Sequence, residues 1–308
     1  MIPDAVLLMA YGAPASLDEV EAYYTDIRRG RPPSPEQVEE LKERYRRIGG
    51  RSPLLDITRA QATGLEKRLW EDHLPARVFV GMRHSRPTIR EASQEILREG
   101  ARRLVALVAA PHYSGMSVGA YQRAVVEAFS GWEGAPEILP VESYHDHPLL
   151  VRAIAERVVA ALREFGADRL SVKTIFTAHS LPQRILAEGD PYRDELLETS
   201  RLVAEAAGGL EWTLAFQSAS KTGEPWLGPD LGEALRDLAR AGARSVLVAP
   251  IDFVSDHLEI LHDLDHEARA LAGSLGLRFG RTESLNASPA FVEALAAVVR
   301  ERLHPPGR

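Results

Sequence analysis

Short, continuously apolar runs alternate along this chain with segments whose apolar residues recur at helical spacing. The six apolar runs are residues 5–10, 76–82, 104–110, 171–178, 212–218 and 245–251. The helical segments include residues 17–29, 56–72, 87–100, 118–130, 148–164, 192–207 and 230–241. Apolar strands that alternate with helices are typical of a parallel sheet whose two faces are both covered by helices. The sequence therefore predicts an α/β fold.

The chain also contains a weak internal repeat. EGARRLVALVAAPH (99–112) resembles AGARSVLVAPID (241–252), and MAYGAP (9–14) resembles TAHSLP (177–182). Two similar halves would explain these matches, and a chance likeness between helix–turn–strand sequences would explain them equally well. Under the first explanation, two doubly wound domains face each other across a cleft, with their boundary near residues 140–150.

Composition excludes several kinds of chemistry. The 308 residues include no cysteine, which excludes disulfides, thiolate nucleophiles and cysteine-held iron–sulfur clusters. A formal net charge of −7 argues against non-specific binding of nucleic acid. There is no G-x-G-x-x-G after a strand and no P-loop motif, so no nucleotide cofactor is indicated. We expect a cytoplasmic protein without stable membrane anchoring, because no apolar run approaches roughly 18 residues and no signal peptide is recognisable.

Polar and aromatic residues follow several of the expected strands. Tyr11, His112, His179 and Asp252 each stand at such a strand end, and His84 adds another. Ligands of open α/β sheets bind beyond the carboxyl ends of the strands, so the first four side chains are candidates for one shared cleft. For each histidine, a hydrogen-bonded loop residue is the more common alternative.

The segment TAHSLP places a histidine at a strand end, where it can serve as a general base or a metal ligand. A hydrolase built on Ser180 is the weaker alternative, since the chain lacks a G-x-S-x-G elbow around this serine.

Acidic residues recur in SDHLEILHDLDHEA (255–268). Glu259, Asp263 and Glu267 are spaced at i, i+4 and i+8, which predicts that they share one face of a helix. Such a stripe suits a cation or proton held between carboxylates, and a fully solvated acidic face explains it equally well. Spacing alone does not choose among the other polar residues of the segment, which are His257, His262, Asp265 and His266.

Arginine is concentrated in residues 28–51, which hold seven. Guanidinium groups bind planar carboxylates through paired donors, so one or two of these arginines are candidates for an anionic ligand. Neighbouring glutamates neutralise part of the set, which leaves the other arginines as ordinary solvated helix charges. In PHYSGMSVGAYQR (111–123), Tyr113 and Tyr121 fit either a pocket wall for a flat apolar ligand or core packing.

Several of these motifs occur together in a known order. MAYGAP, YYTDIRRGRPPSPEQVEELKERYRRIGGRSPL, APHYS, TAHSLP, DPY, PWLGPD and FVSDHLEILHDLDHE resemble the ferrochelatases, and in particular the short bacterial form similar to coproporphyrin ferrochelatase. The match runs over nearly the whole chain. The resemblance implies a lyase of haem biosynthesis that inserts Fe²⁺, as substrate, into a porphyrin.

The resemblance also implies the architecture. It predicts two Rossmann-like domains, each with a parallel four-stranded sheet, at residues 1–145 and 146–285. A segment near residues 20–55 of the first domain would clamp the porphyrin. The second domain would carry the metal-side residues, and a C-terminal helix within residues 286–308 would pack back on the first domain.

Site residues follow by matched position. His179 and Glu259 would be the metal-side catalytic pair, and Tyr11 would face the porphyrin iron axially from the opposite side of the ring. Asp263 and Glu267 resemble an outer divalent site, for which Mg²⁺ is the candidate ion, or a proton relay towards solvent. The residues that fall where the family contacts the porphyrin and its propionates are Tyr11, Arg28, Arg44, Tyr45, Ser52 and Tyr121.

The resemblance leaves two porphyrins open. Coproporphyrin III is favoured over protoporphyrin IX, because its four carboxylates suit an arginine-rich cleft. A chelatase for another metal and ring, such as cobalt and a sirohydrochlorin-like ring, is a second enzymatic alternative. A non-catalytic protein that binds metal or tetrapyrrole is the alternative of a different class. We expect a monomer, because nothing in the sequence resembles a dimerisation segment.

Overall fold

The computed structural model describes residues 4–220 and 223–305, and these contain two four-stranded parallel sheets. The first sheet has the order β2-β1-β3-β4, and the second has the order β6-β5-β7-β8. Each sheet therefore places its strands in the same sequential order, which accounts for the internal repeat and confirms the predicted α/β fold. The strands are β1 (Asp4–Ala10), β2 (Ala76–Met82), β3 (Arg103–Val108), β4 (Glu137–Pro140), β5 (Lys173–His179), β6 (Trp212–Gln217), β7 (Ser245–Pro250) and β8 (Arg278–Arg281).

The helices cover both faces of each sheet, as continuous apolar strands require. A capping box of Ser34 and Gln37 fixes the start of α2, and one of Thr88 and Glu91 fixes the start of α4. The α-helices are α1 (Val20–Ile27), α2 (Pro35–Arg47), α3 (Leu54–Glu71), α4 (Ile89–Glu99), α5 (Val118–Phe129), α6 (Pro148–Arg163), α7 (Arg184–Ala187), α8 (Tyr192–Ala206), α9 (Leu231–Arg240), α10 (Leu258–Leu261), α11 (Arg269–Ser274) and α12 (Pro289–Leu303).

One apolar cluster joins the two sheets. It includes Leu8 of β1, Phe176 of β5 and Leu65 of α3. Helix α12 contributes Phe291 and Leu295, which are both fully buried, and the helix packs against α3 and α6. The C-terminal helix therefore links the two sheets through the core. The domain boundaries at residues 145 and 285 stay a prediction.

None of the helices within residues 4–220 and 223–305 combines the length and the apolar character that crossing a membrane requires.

Candidate active site

The segments that follow β1 and β7 meet at a small apolar contact between α2 and α10. Val38 and Tyr45 of α2 pack against Leu258 of α10, together with Val20 of α1. This contact brings the arginine-rich helix α2 of the first sheet beside the acidic segment that follows β7 of the second sheet. The site described below lies at this junction.

His179 is the last residue of β5. Its Nδ1 lies 2.5 Å from the carbonyl oxygen of Ser180. Because a carbonyl can only accept, Nδ1 donates, and the neutral ring carries its lone pair on Nε2. That Nε2 lies 3.7 Å from Oε1 of Glu259. The strand end thus directs Nε2 of His179 at the carboxylate, and the role of this histidine as a base or a metal ligand stays a prediction.

Glu259 lies between two imidazoles. Its Oε2 is 3.7 Å from Nε2 of His257, whose Nδ1 donates to the carbonyl oxygen of Ser255 at 2.9 Å. The ring of Phe253 stands next to both histidines, with centroid distances of 6.2 Å to His179 and 4.9 Å to His257. Both imidazoles therefore direct Nε2 at the same carboxylate while their other nitrogen is held by backbone.

The two histidines and Glu259 stabilise each other's charged forms. Burial alone would raise the pKa of Glu259, but the charge of His179, the hydrogen bond and charge of His257 and the charge of Arg44 lower it to about 2. Burial alone would lower the pKa of His257, yet the hydrogen bond and charge of Glu259 outweigh burial and raise it. Glu259 is therefore a carboxylate at neutral pH, with its negative charge shared between the two rings.

The acidic segment is not the continuous α-helix that its spacing predicts. Helix α10 ends at Leu261, and residues Asp263–Ala268 form a π-helix. In the π-helix the amide of Glu267 donates to the carbonyl of His262, five residues earlier, at 3.1 Å. The expectation of a single α-helical face was wrong, because the wider turn makes His262 the helical neighbour of Glu267.

The π-helix gathers a second polar cluster. Ligand atoms of His262, Asp263 and Glu267 all lie within 4.8 Å of one another. Asp263 forms an ion pair with Arg44. Arg44 Nε also lies 3.4 Å from Nδ1 of His262, and Ser218 Oγ donates to the other oxygen of Asp263 at 2.8 Å. The guanidinium of Arg44 therefore occupies the place beside Asp263 that a cation would need.

Tyr11 follows β1 on the side of the first sheet. Its ring lies 4.6 Å from the ring of His84, and Nδ1 of His84 is 2.7 Å from a carboxylate oxygen of Asp26. Partial burial and the charge of Glu259 raise the pKa of Tyr11 to about 12, so the phenol is neutral at physiological pH. That Tyr11 belongs to the same site as Glu259 stays a prediction, since the two residues follow strands of different sheets.

The other residues assigned to porphyrin binding differ in how far they are exposed to solvent. The Arg28 guanidinium donates to Oε1 of Gln37 at 2.8 Å and stays half-buried. Tyr45 is buried, as are Ser52 and Tyr121. Ser52 Oγ accepts from the backbone amide that begins α3, at 3.3 Å. The structure therefore brings Arg44 next to the acidic cluster and leaves Tyr45, Ser52 and Tyr121 largely covered by protein.

Some site residues carry little signal in the sequence. His257 precedes α10 in extended conformation, outside any helical periodicity. Gln217 pairs with His179 in the strand register and donates to the carbonyl of Glu259 at 3.0 Å. Ser218 has φ +60, a backbone conformation that a sequence pattern rarely reveals for serine. The sequence offered one signal for Gln217 and Ser218: they stand at the end of β6, the strand that pairs with β5.

The arrangement can accept protons and hold a divalent cation. The imidazole of His179 lies beside a carboxylate that stays ionised, and the phenol of Tyr11 follows β1 of the other sheet. These groups supply nitrogen and oxygen ligands, which suit Fe²⁺ once it loses water, and an acceptor for a proton leaving a bound ring.

Comparison with known proteins gives one consistent result. A family model described as Ferrochelatase matches residues 3–303. The chain is similar to a ferrochelatase of Herpetosiphon aurantiacus, with 44% identity covering 96% of this chain and 97% of the relative. It is also similar to the coproporphyrin III ferrochelatase of Bacillus subtilis, with 41% identity covering 97% of each chain.

A solved structure shares the fold at much lower identity. SirB from Bacillus subtilis with Fe³⁺ superposes with a TM-score of 0.63 at 12% identity, covering 98% of this chain and 96% of that chain. This likeness concerns the fold alone, whereas the family model and the curated relatives extend over nearly the whole sequence. The chain therefore belongs to the ferrochelatase family.

Proposed function

We propose that this protein inserts Fe²⁺ into coproporphyrin III, with His179 and Glu259 as the catalytic pair on the metal side of the ring. The observation that carries this proposal is the Nε2 of His179 at 3.7 Å from Glu259, with Nδ1 fixed as a donor. Metallation releases two pyrrole protons as the iron enters. His179, whose side chain is 30% exposed, accepts the two protons one after the other at Nε2 and passes each to water, and the carboxylate of Glu259 stabilises the imidazolium that forms each time.

The low pKa of Glu259 assigns it an electrostatic role. A carboxylate whose pKa is about 2 is a poor proton acceptor near neutrality, but it attracts Fe²⁺ and favours protonation of its histidine neighbours. His257 completes this arrangement from the other side of Glu259. Tyr11, a neutral phenol on the side of the first sheet, would face the iron from the opposite side of the ring.

Porphyrin recognition rests on carboxylates. Each propionate of the ring suits a guanidinium, and Arg28 and Arg44 hold the family positions for such contacts. Arg44 already binds one carboxylate, that of Asp263. A propionate would replace Asp263 as the partner of Arg44. Tyr45, Ser52 and Tyr121 are proposed as contacts with the edge of the ring on the strength of their matched motif positions.

An outer divalent site, with Mg²⁺ as the candidate, is proposed at Asp263 and Glu267. His262 supplies a third ligand atom within the same 4.8 Å cluster. This donor set fits a hydrated cation only after Arg44 leaves Asp263, because the two positive groups would compete for one carboxylate. We further propose that the protein acts in the cytoplasm as a monomer.

The test is anaerobic turnover of Fe²⁺ with coproporphyrin III and, separately, protoporphyrin IX, followed by loss of the free-base absorption bands. We expect many turnovers and a higher kcat/KM for coproporphyrin III. A higher value for protoporphyrin IX would reverse the substrate and favour the alternative, a protoporphyrin IX ferrochelatase. A spectral change limited to one equivalent per protein would contradict catalysis and favour a metal- or tetrapyrrole-binding protein.

A pair of variants separates recognition from general charge effects. Arg44→Gln removes the proposed propionate contact, and we expect KM for coproporphyrin III to rise about tenfold, the effect of losing one charge-assisted pair. Arg240→Gln is the matched control, since Arg240 is 76% exposed on α9 and pairs only with its helical neighbour Asp237 among the salt bridges of the described residues. An equal rise in KM for both variants would contradict the assignment of Arg44.

A further inference from the structure

A chain of largely covered hydrogen bonds starts at the backbone of His179 and crosses from one sheet to the other. Its centre is Tyr192, the first residue of α8, whose side chain is 2% exposed. The hydroxyl of Tyr192 lies 2.9 Å from the backbone carbonyl oxygen of His179 and 2.8 Å from Oδ2 of Asp252. One hydroxyl hydrogen is therefore shared between the backbone of the proposed base and a carboxylate at the end of β7.

Asp252 is tied in turn to the first sheet. Its Oδ1 is 3.2 Å from Nδ1 of His112, a buried residue in the loop after β3. Nε2 of His112 is 2.9 Å from Oγ1 of Thr199, and that hydroxyl donates its one hydrogen to the carbonyl of His145 at 3.0 Å. Nε2 of His112 therefore donates to the hydroxyl of Thr199, and Nδ1 faces the carboxylate of Asp252.

A second link to the first sheet holds the backbone of Tyr192. Asp190 accepts from the amide of Tyr192 at 3.1 Å through Oδ1. Through Oδ2 it accepts from the hydroxyl of Ser114 at 2.9 Å and the amide of Gly115 at 2.8 Å. Tyr192 is thus fixed at both its amide and its hydroxyl by groups that the loop after β3 anchors.

These contacts have no place in the metal chemistry proposed above, because Tyr192 and His112 are buried and the side chain of Asp252 is only 11% exposed. These hydrogen bonds instead fix the position of the His179 backbone. His179 holds its own Nδ1 against the next carbonyl in the chain, so a shift of the backbone at His179 also moves Nε2 relative to Glu259. Misplacing a catalytic group by about 1 Å can cost on the order of 100-fold in rate.

We propose that Tyr192 is a positioning residue that couples the His112–Asp252 pair of the two sheets to the backbone of His179. The pair fixes Asp252, Asp252 fixes the hydroxyl of Tyr192, and that hydroxyl fixes the strand end that presents the imidazole. The inference rests on the proposed function, since it assigns Tyr192 its effect through His179.

The test compares two tyrosines that each lose one buried hydroxyl. Tyr192→Phe removes the bond to His179 and Asp252, and Tyr144→Phe removes a bond from a 4% exposed tyrosine to the carbonyl of Val108 at 3.2 Å. We expect Tyr192→Phe to lower kcat for Fe²⁺ insertion by about 5- to 10-fold, with KM for porphyrin unchanged, and Tyr144→Phe to keep kcat within about twofold. Asp252→Asn, which keeps the shape of the side chain, should lower kcat in the same way.

The double variant Tyr192→Phe/Asp252→Asn should be no slower than the slower single variant, because both substitutions act through one hydrogen-bond chain. Wild-type kcat in Tyr192→Phe, or an equal loss in Tyr144→Phe, would overturn the inference. His179→Ala, measured alongside, distinguishes failure of the positioning role of Tyr192 from failure of the proposed function. If it is inactive while Tyr192→Phe is unimpaired, only the positioning role fails, whereas full activity of His179→Ala would remove the proposed function and this inference together.

Discussion

His179 and Glu259 approach to 3.7 Å although one ends β5 and the other follows β7. These two strands are neighbours in the second sheet, so their carboxyl ends open onto the same place. Such an edge is where open α/β sheets bind ligands. The approach of the His179 imidazole to an ionised carboxylate at this edge is the chemical centre of the proposed site.

Replacing the carboxylate should slow the reaction without unfolding the protein. Glu259→Gln keeps the size of the side chain and removes the charge that supports His179. We expect kcat for Fe²⁺ insertion to fall by about 100- to 1,000-fold, the usual contribution of a group assisting proton transfer. Glu283→Gln is the control, because Glu283 is 81% exposed and pairs with Arg157 away from the site. An equal loss in both variants would contradict the role of Glu259.

The depressed pKa of Glu259 also predicts an acid-dependent change in stability. Its folded pKa is about 2, below an unfolded value of about 4.3, so its contribution is present above pH ~4.3 and is lost as the pH falls towards 2. We expect the difference in the free energy of unfolding between wild type and Glu259→Gln to shrink by about 1–2 kcal/mol from pH 6 to pH 3. Denaturant titration of both proteins at several pH values measures this difference. A difference that does not change with pH would contradict the lowered pKa of Glu259.

Arg44 and the proposed outer cation should compete for Asp263. Arg44→Ala removes the guanidinium, and we expect the Kd for Mg²⁺ to fall by about tenfold, since one positive charge no longer opposes the ion. Isothermal titration calorimetry of wild type and variant measures this change. The double variant Arg44→Ala/Asp263→Asn should bind Mg²⁺ more weakly than Arg44→Ala, because it lacks the carboxylate that the ion needs. An unchanged Kd in Arg44→Ala would show that the cluster around Asp263 does not bind the ion.

Packing of α12 should be needed for stability. Phe291→Ala opens a space in the core that joins both sheets, where Phe291 is fully buried. We expect the free energy of unfolding to fall by about 3–5 kcal/mol, as for other buried phenylalanines. Leu170→Ala is the matched surface control, because Leu170 is 92% exposed. A loss below about 1 kcal/mol for Phe291→Ala would contradict the packing of α12.

The interior strands could be predicted from sequence because they are buried on both faces. β1 and β7 are apolar nearly throughout, and their predicted limits agree with the structure to within one residue at each end. β4 and β8 were not predicted. Each is a four-residue strand at the edge of its sheet and lacks a long buried run.

The site could be predicted only in part. His179 and Glu259 were identified from the family motifs, and the structure brings them together. The π-helix and the binding of Arg44 to Asp263 had no signal in spacing, because helical periodicity assumes a regular turn and says nothing about a distant partner. His257 stands before the helix, so its approach to Glu259 depends on the path of the loop after β7.

His179→Ala is the most direct test of the central claim, that this imidazole drives metal insertion. Turnover of Fe²⁺ and coproporphyrin III is measured anaerobically for wild type and variant by loss of the free-base bands. We predict that kcat falls by at least about 100-fold, while a folded variant still binds the porphyrin. Wild-type turnover by His179→Ala would contradict the account.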